Sequence, residues 1–95
     1  MKTFTFIVEF LGGTYCFQVI ADSVNESIHI WVDKIKVDSS GINGLDTKTL
    51  DELIVESSSK DNLPTPLNGL SNTWFVHYST TKGEIFVNIV QTDLT

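Results

Sequence analysis

The chain has 95 residues, twelve of them acidic and six lysine, with no arginine, so its net charge at neutral pH is −6. Because nucleic-acid binding depends on lysine and arginine to neutralise phosphates, this balance argues against a nucleic-acid partner, and it disfavours an anionic membrane surface for the same reason. It favours a basic protein partner, while the length predicts a single domain over residues 1–95.

The first predicted element is an aromatic hairpin. Residues 4–10 and 15–21 both carry apolar side chains at every second position, which is typical of strands with one buried face. Between them, Gly12-Gly13 predicts a two-residue turn, because both positions accept a positive φ. This turn would place Val8 opposite Phe17 and bring the large apolar side chains to one face.

An amphipathic helix is predicted next. Ser23 and Glu26 have the spacing of a capping box, in which the hydroxyl and the carboxylate satisfy free amides at a helix start. The apolar residues that follow at helical spacing are Val24, Ile28, Trp31, Val32 and Ile35. This stripe can cover the aromatic sheet face, and the helix should end near Lys36, ahead of a turn at residues 39–41.

The middle of the chain has a weaker pattern. Thr49 and Glu52 offer a second capping box, so a short helix is favoured for residues 45–56, although the apolar run there also fits a strand. The serines at 57–59 and the prolines in segment 64–66 predict a solvent-exposed loop.

The C-terminal part returns to the period of a strand. Two apolar runs flank a turn near residues 80–83, and an even-length loop ending in Gly83 puts six side chains on one face: Trp74, Val76, Tyr78, Ile85, Val87 and Ile89. The expected fold is α+β, a four-stranded, mainly antiparallel sheet in the order β-β-α-(α)-β-β with one main amphipathic helix packed on one face. The strand order stays open, because the second hairpin can lie at either edge of the first.

This arrangement leaves a second sheet face of mixed composition. Its predicted members are Thr5, Ile7, Glu9, Cys16, Gln18, Ile20, Phe75, His77, Phe86, Asn88 and Val90. That is more apolar than a solvated face usually is, so two alternatives arise. Either the segment 45–56 folds over this face, or the face is a dimer or partner surface.

Catalytic and metal-binding patterns are weak. Cys16 and His77 are the only candidate nucleophile and base, and both fall on the second face, but no residue to orient the histidine and no Gly-rich elbow accompany them. A lone cysteine in a strand is more often a small buried apolar residue. The histidines and the cysteine lack zinc spacing. We expect neither an enzyme nor a bound metal or cofactor.

Acidic residues in the middle of the chain are the candidate binding residues. Those predicted to contact a basic partner are Asp46, Asp51, Glu52, Glu56 and Asp61. The alternative is that they form an ordinary solvated helix surface.

The sequence also suggests a compartment. The single cysteine excludes an intrachain disulfide and suits a reducing environment. The N-terminus lacks the apolar core of a signal peptide, and no apolar run is long enough to span a membrane. We therefore expect a cytoplasmic protein.

Three segments resemble small acidic bacterial immunity proteins of toxin–immunity systems: the hairpin at residues 6–19 with the helix around Trp31, residues 66–78, and residues 83–92. The resemblance implies a single α+β domain that binds a cognate toxin and blocks its active site, often by presenting carboxylates to a basic nuclease surface. It carries over no individual residue, because toxin-contacting positions share no motif. The expected function is thus a non-enzymatic, immunity-type inhibitor. The alternative is a structural or regulatory domain that homodimerises through the second sheet face.

Overall fold

The computed structural model describes residues 1–37 and 41–92. Within them lie one antiparallel sheet and two helices. The elements in chain order are β1 (Lys2–Phe10), β2 (Gly13–Ala21), α1 (Val24–Val37), α2 (Thr47–Ser57), β3 (Thr65–Pro66), β4 (Thr73–Thr80) and β5 (Gly83–Gln91). The α+β class is confirmed. The expected four strands and one main helix are corrected to five strands and two helices, because two residues of the predicted loop pair with β4.

The strands lie in the order β2-β1-β5-β4-β3, so the first and last long strands are neighbours at the centre of the sheet. Val8 of β1 lies opposite Val87 of β5, which in turn lies opposite Val76 of β4. The second hairpin therefore joins the first along β1. One edge of the sheet is β2, and the other is β4 with the short β3 strand.

The turn of the first hairpin differs from the predicted one. Its central residues are Leu11 and Gly12, with φ of 49° and 82°, and Phe10 pairs with Gly13. Positive φ at both positions is the pattern of a type I′ turn. The register therefore moves by two residues, so that Phe17 lies opposite Phe6 instead of Val8. Because the shift is even, every side chain keeps its predicted face.

Leu11 occupies a backbone conformation that asparagine tolerates better than leucine does. We expect Leu11→Asn to raise the free energy of unfolding by about 1 kcal/mol, since the strain of the left-handed region is relieved. Chemical denaturation measures this. Leu11→Ala is the matched control, because it removes the same exposed side chain but keeps the strain. An equal gain in both variants would show that the side chain, not the backbone, is the destabilising part.

Helix α1 forms as predicted. The Ser23 hydroxyl accepts a hydrogen bond from the Glu26 backbone N–H at 3.1 Å, and the helix ends at Val37. Its apolar stripe faces the sheet, where Trp31 is fully buried and stacks on Phe6 with ring centroids 5.1 Å apart. Of the turn predicted at residues 39–41, the first two residues lie outside the described part of the chain.

Helix α2 is confirmed as a helix, but its predicted cap is wrong. Asp46 is the N-cap, and its carboxylate accepts a hydrogen bond from the Thr49 backbone N–H at 2.8 Å. Thr49 is thus the third helical residue instead of the cap. Leu53 is buried in the same core as Trp31, so α2 packs on the sheet face that α1 also covers. The alternative in which segment 45–56 covers the second face is therefore wrong.

The second hairpin forms as predicted. Thr80 pairs with Gly83 across a two-residue turn, and the six apolar side chains predicted for one face point into the core. Gly83 has a φ of +149°, which side-chain-bearing residues rarely adopt. Both helices and the core lie on this inner side of the sheet, and the opposite side is left without a layer over it in the described part of the chain.

Candidate functional site

The sheet side opposite the helices, called here the outer face, is a candidate contact surface. By strand register its residues are Thr3, Thr5, Ile7 and Glu9 on β1, Thr14, Cys16, Gln18 and Ile20 on β2, Thr65 on β3, Thr73, Phe75, His77 and Ser79 on β4, and Glu84, Phe86, Asn88 and Val90 on β5. None of these side chains is buried, whereas most of the apolar inner-face residues are. The predicted composition of this face is confirmed, and the helices do not cover it.

An aromatic cluster lies on the outer face where β4 and β5 pair. The rings of Phe75, His77 and Phe86 lie 6.2–6.3 Å apart, centroid to centroid. Phe86 is 41% exposed and lies beside the half-buried Phe75, whereas Ile20, which is 57% exposed, lies apart from them at the far end of β2. Exposed apolar patches often mark contact sites.

The opposite end of the outer face combines the apolar Ile20 and Val90 with hydrogen-bonded polar side chains. The hydroxyls of Thr5 and Thr92 are hydrogen-bonded at 2.8 Å, and Gln18 donates from Nε2 to the Thr5 hydroxyl at 3.1 Å. The side chains of Thr5, Gln18 and Thr92 are thus partly satisfied by hydrogen bonds within the molecule. The apolar contact area is therefore the half of the face that contains Phe75, Phe86 and Ile7.

Cys16 and His77 both lie on the outer face, as predicted, but they are not neighbours. Strands β1 and β5 separate β2 from β4, so the two residues lie roughly 14 Å apart at about 4.8 Å per strand spacing. A nucleophile and its base need hydrogen-bond contact, which this separation rules out. Cys16 is also exposed, which corrects the expectation of a small buried residue.

Asp46, one of the five predicted binding residues, holds two parts of the chain together. Besides capping α2, its carboxylate forms an ion pair with Lys82 at 2.9 Å, and Lys82 also donates to the Gly44 carbonyl at 2.9 Å. Hydrogen bonds from Thr49, then the Lys82 ammonium, hold the pKa of Asp46 well below its ordinary value. This carboxylate therefore fixes the start of α2 to the β4–β5 turn.

The lowered pKa of Asp46 predicts an acid-dependent loss of stability. A carboxylate with a depressed pKa in the folded state stabilises the fold above its unfolded pKa, near pH 4, and that contribution disappears as the pH falls further. We expect Asp46→Asn, which still caps a helix, to lose less stability between about pH 4 and pH 2 than the natural chain. Thermal unfolding across this range measures it, with Asp61→Asn as the control. If the stability of Asp46→Asn and that of the natural chain fall in parallel with pH, Asp46 is not the source of the acid-dependent loss.

Glu52 and Glu56 also bind within the molecule. Glu52 accepts hydrogen bonds from the Thr81 backbone N–H at 3.2 Å and from the Thr81 hydroxyl at 2.9 Å. Glu56 accepts one from the Ser79 backbone N–H at 3.1 Å. These amides belong to the edge of β4 and to its turn, so the two carboxylates close a sheet edge that would otherwise offer free donors. Sequence reasoning missed this role, because it depends on where α2 packs.

Asp51 and Asp61 are exposed, and neither side chain has a hydrogen-bond or ion-pair partner among the described residues. Asp51 lies with Glu52 and Glu56 along a shallow groove of about 460 Å³, whose lining also includes the exposed Val55. Asp46 and Asp61 lie outside this groove. The structure thus brings together three of the five predicted carboxylates, two of which are already bonded to β4 and its turn.

Among the described residues, no group of three or more His, Cys, Asp and Glu side chains is arranged to hold a metal ion. In the same part of the chain, neither helix is long and apolar enough to cross a membrane. Comparisons with models of known protein families, with curated proteins and with solved structures found no match for this chain. Function is therefore inferred from the surfaces of the molecule itself.

Proposed function

We propose that this chain is a non-enzymatic protein-binding domain of the immunity type, which binds a basic toxin in the cytoplasm and neutralises it. One observation carries the proposal: both helices pack on the same side of the sheet, so the outer face keeps an aromatic cluster in which His77 and Phe86 are exposed and Phe75 is half-buried. Aromatic side chains supply much of the binding energy at protein interfaces. The net charge of −6 would speed association with a basic partner.

The outer face is a better contact surface than the acidic side of α2. A partner that bound Glu52 or Glu56 would compete with the bonds these carboxylates make to Thr81 and Ser79. On the outer face, by contrast, the exposed Phe86 and the half-buried Ile7 can be contacted without loss of any internal hydrogen bond. Asp51 and Asp61 then act at longer range, by adding to the negative field that attracts the partner.

The proposal is tested by affinity capture from the native organism with three forms of the chain: the natural protein, Phe75→Ser/Phe86→Ser, and Val37→Ser/Val55→Ser. The last pair removes exposed apolar side chains from the two helices, which pack on the other side of the sheet, and is the matched control. We expect one basic protein to be held by the natural chain and the control and lost from the outer-face variant. That protein, expressed alone in a test bacterium, should arrest growth, and co-expression of the natural chain should restore it.

Two results would contradict the proposal. Capture that survives Phe75→Ser/Phe86→Ser but fails with Val37→Ser/Val55→Ser would move the contact to the helical side of the molecule. A captured protein that neither arrests growth nor loses an activity in the complex would remove the inhibitory role. The alternative function, homodimerisation through the outer face, would show as a dimer of the natural chain in sedimentation that Phe75→Ser/Phe86→Ser converts to a monomer.

A further inference from the structure

A small pocket lies at one end of the outer face, against the turn of the first hairpin. Glu9 of β1 lies directly opposite Phe86 of β5, and Glu84 lies two residues along β5 on the same face. The residues that line the pocket are Glu9, Phe10, Leu11, Gly12, Gly13, Thr14, Glu84 and Phe86. Leu11 at the rim is 57% exposed. We call this site the turn pocket.

The turn pocket combines an exposed ring with two carboxylates. Directly opposed side chains in an antiparallel pair have Cβ atoms about 5 Å apart, so Glu9 and the Phe86 ring lie side by side. The Glu84 carboxylate is held by the Ser79 hydroxyl at 3.0 and 3.1 Å, whereas Glu9 has no hydrogen-bond or ion-pair partner among the described residues. An ammonium or guanidinium group is attracted both to a carboxylate and to the face of an aromatic ring.

The size of the turn pocket limits its occupant. Its volume is about 170 Å³, well below the roughly 300–1,000 Å³ of sites that hold small-molecule ligands. It has room for the end of one long side chain. It is also continuous with the apolar half of the outer face through Phe86, which belongs to both.

We propose, on the basis of the proposed function, that the outer face docks a basic protein whose apolar patch covers Phe86 and Phe75 and whose arginine or lysine enters the turn pocket between Glu9 and Glu84. Charge complementarity selects this occupant. By strand register the outer face carries two carboxylates, Glu9 and Glu84, and no lysine. Lys34 reaches the β2 edge of this face, where its ammonium donates to the Gln18 carbonyl at 3.1 Å, but it does not line the turn pocket.

A second copy of the chain fits this surface poorly. Face-to-face docking of two copies would bring four carboxylates into one interface, Glu9 and Glu84 from each. Lys34, the lysine at the β2 edge of this face, already donates to the Gln18 carbonyl. Buried carboxylates without a partner are strongly unfavourable. The nearest ammonium along the chain, that of Lys82, is already bound to Asp46 and the Gly44 carbonyl. A basic partner supplies the missing cation.

The test is an NMR titration of the isotope-labelled chain with two small probes, Nα-acetyl-arginine methylamide and its neutral counterpart Nα-acetyl-citrulline methylamide. We expect saturable shifts of the Leu11, Glu84 and Phe86 backbone amides with the arginine probe and none with the citrulline probe. Glu9→Gln and Phe86→Ser should each weaken this binding by about two- to fivefold. Asp51→Asn, which neutralises a partner-free carboxylate on α2, is the matched control and should change nothing.

Two results would contradict the proposed cation binding in the turn pocket: NMR shifts of equal size at Asp51 and Asp61, or equal binding of the arginine and citrulline probes. Failure of the pocket and failure of the proposed function remain distinguishable. If a captured toxin depends on Phe86 but not on Glu9 for binding, the turn-pocket proposal is wrong and the proposed function stands. If the arginine probe binds but no toxin is captured, the turn-pocket proposal stands and the proposed function is wrong. A dimer in sedimentation that Phe75→Ser/Phe86→Ser dissociates would replace the basic partner with a second copy.

Discussion

Trp31→Ala is expected to lower the free energy of unfolding by about 3–5 kcal/mol. Trp31 is fully buried, stacks on Phe6 and contacts the ring of Phe17 edge-on at a centroid distance of 6.3 Å. Its removal leaves a cavity between α1 and both strands of the first hairpin, which these rigid elements cannot close. Urea denaturation of the natural chain and the variant measures the loss.

Trp31→Phe is the control for this substitution. The Trp31 indole N–H has no hydrogen-bond partner among the described residues, so phenylalanine loses packing volume but breaks no hydrogen bond. We expect a loss well below that of Trp31→Ala. A loss under about 1 kcal/mol for Trp31→Ala would show that α1 does not face the sheet.

Leu53→Ala is expected to cost about 2–5 kcal/mol, because Leu53 is buried in the core beneath α2. This substitution tests whether the Leu53 side of α2 is packed in the core, as the structure has it.

Val55→Ala is the matched control on the same helix. Val55 is 70% exposed, so its truncation should change the free energy of unfolding by less than about 0.5 kcal/mol. Equal costs at Leu53 and Val55 would show that α2 is buried on both sides, which would contradict the exposure of Val55.

The alternation of apolar residues predicts the faces of the strands but not their register or order. The predicted faces of β1 and β2 are correct although the predicted turn is wrong. Moving the turn from Gly12-Gly13 to Leu11-Gly12 shifts the pairing by two residues, and an even shift leaves every side chain on the same face. Two adjacent glycines allow either turn, and a leucine with positive φ is not expected from its residue type. The strand order depends on the pairing of β1 with β5, which lie far apart in the chain. Because the strands carry the same alternating pattern, that pattern does not show which of them pair.

The candidate site could be predicted only in part. The alternation of residues along the strands was enough to place Cys16, Phe75, His77 and Phe86 on the second sheet face. This alternation could not show whether α2 covers the second face, since the apolar stripe of α2 fits either side of a sheet. It also could not show that Glu52 and Glu56 bind the edge of β4, because those hydrogen bonds join residues more than twenty positions apart.

The central claim is that the outer face is open, and the single thiol of the chain reports on it directly. Cys16 lies on that face opposite Ile7 and is exposed. We expect iodoacetamide to modify Cys16 in the folded protein at nearly the rate measured for the urea-unfolded chain. Modification that proceeds only as fast as the protein unfolds would show that the face is covered, and would contradict the account.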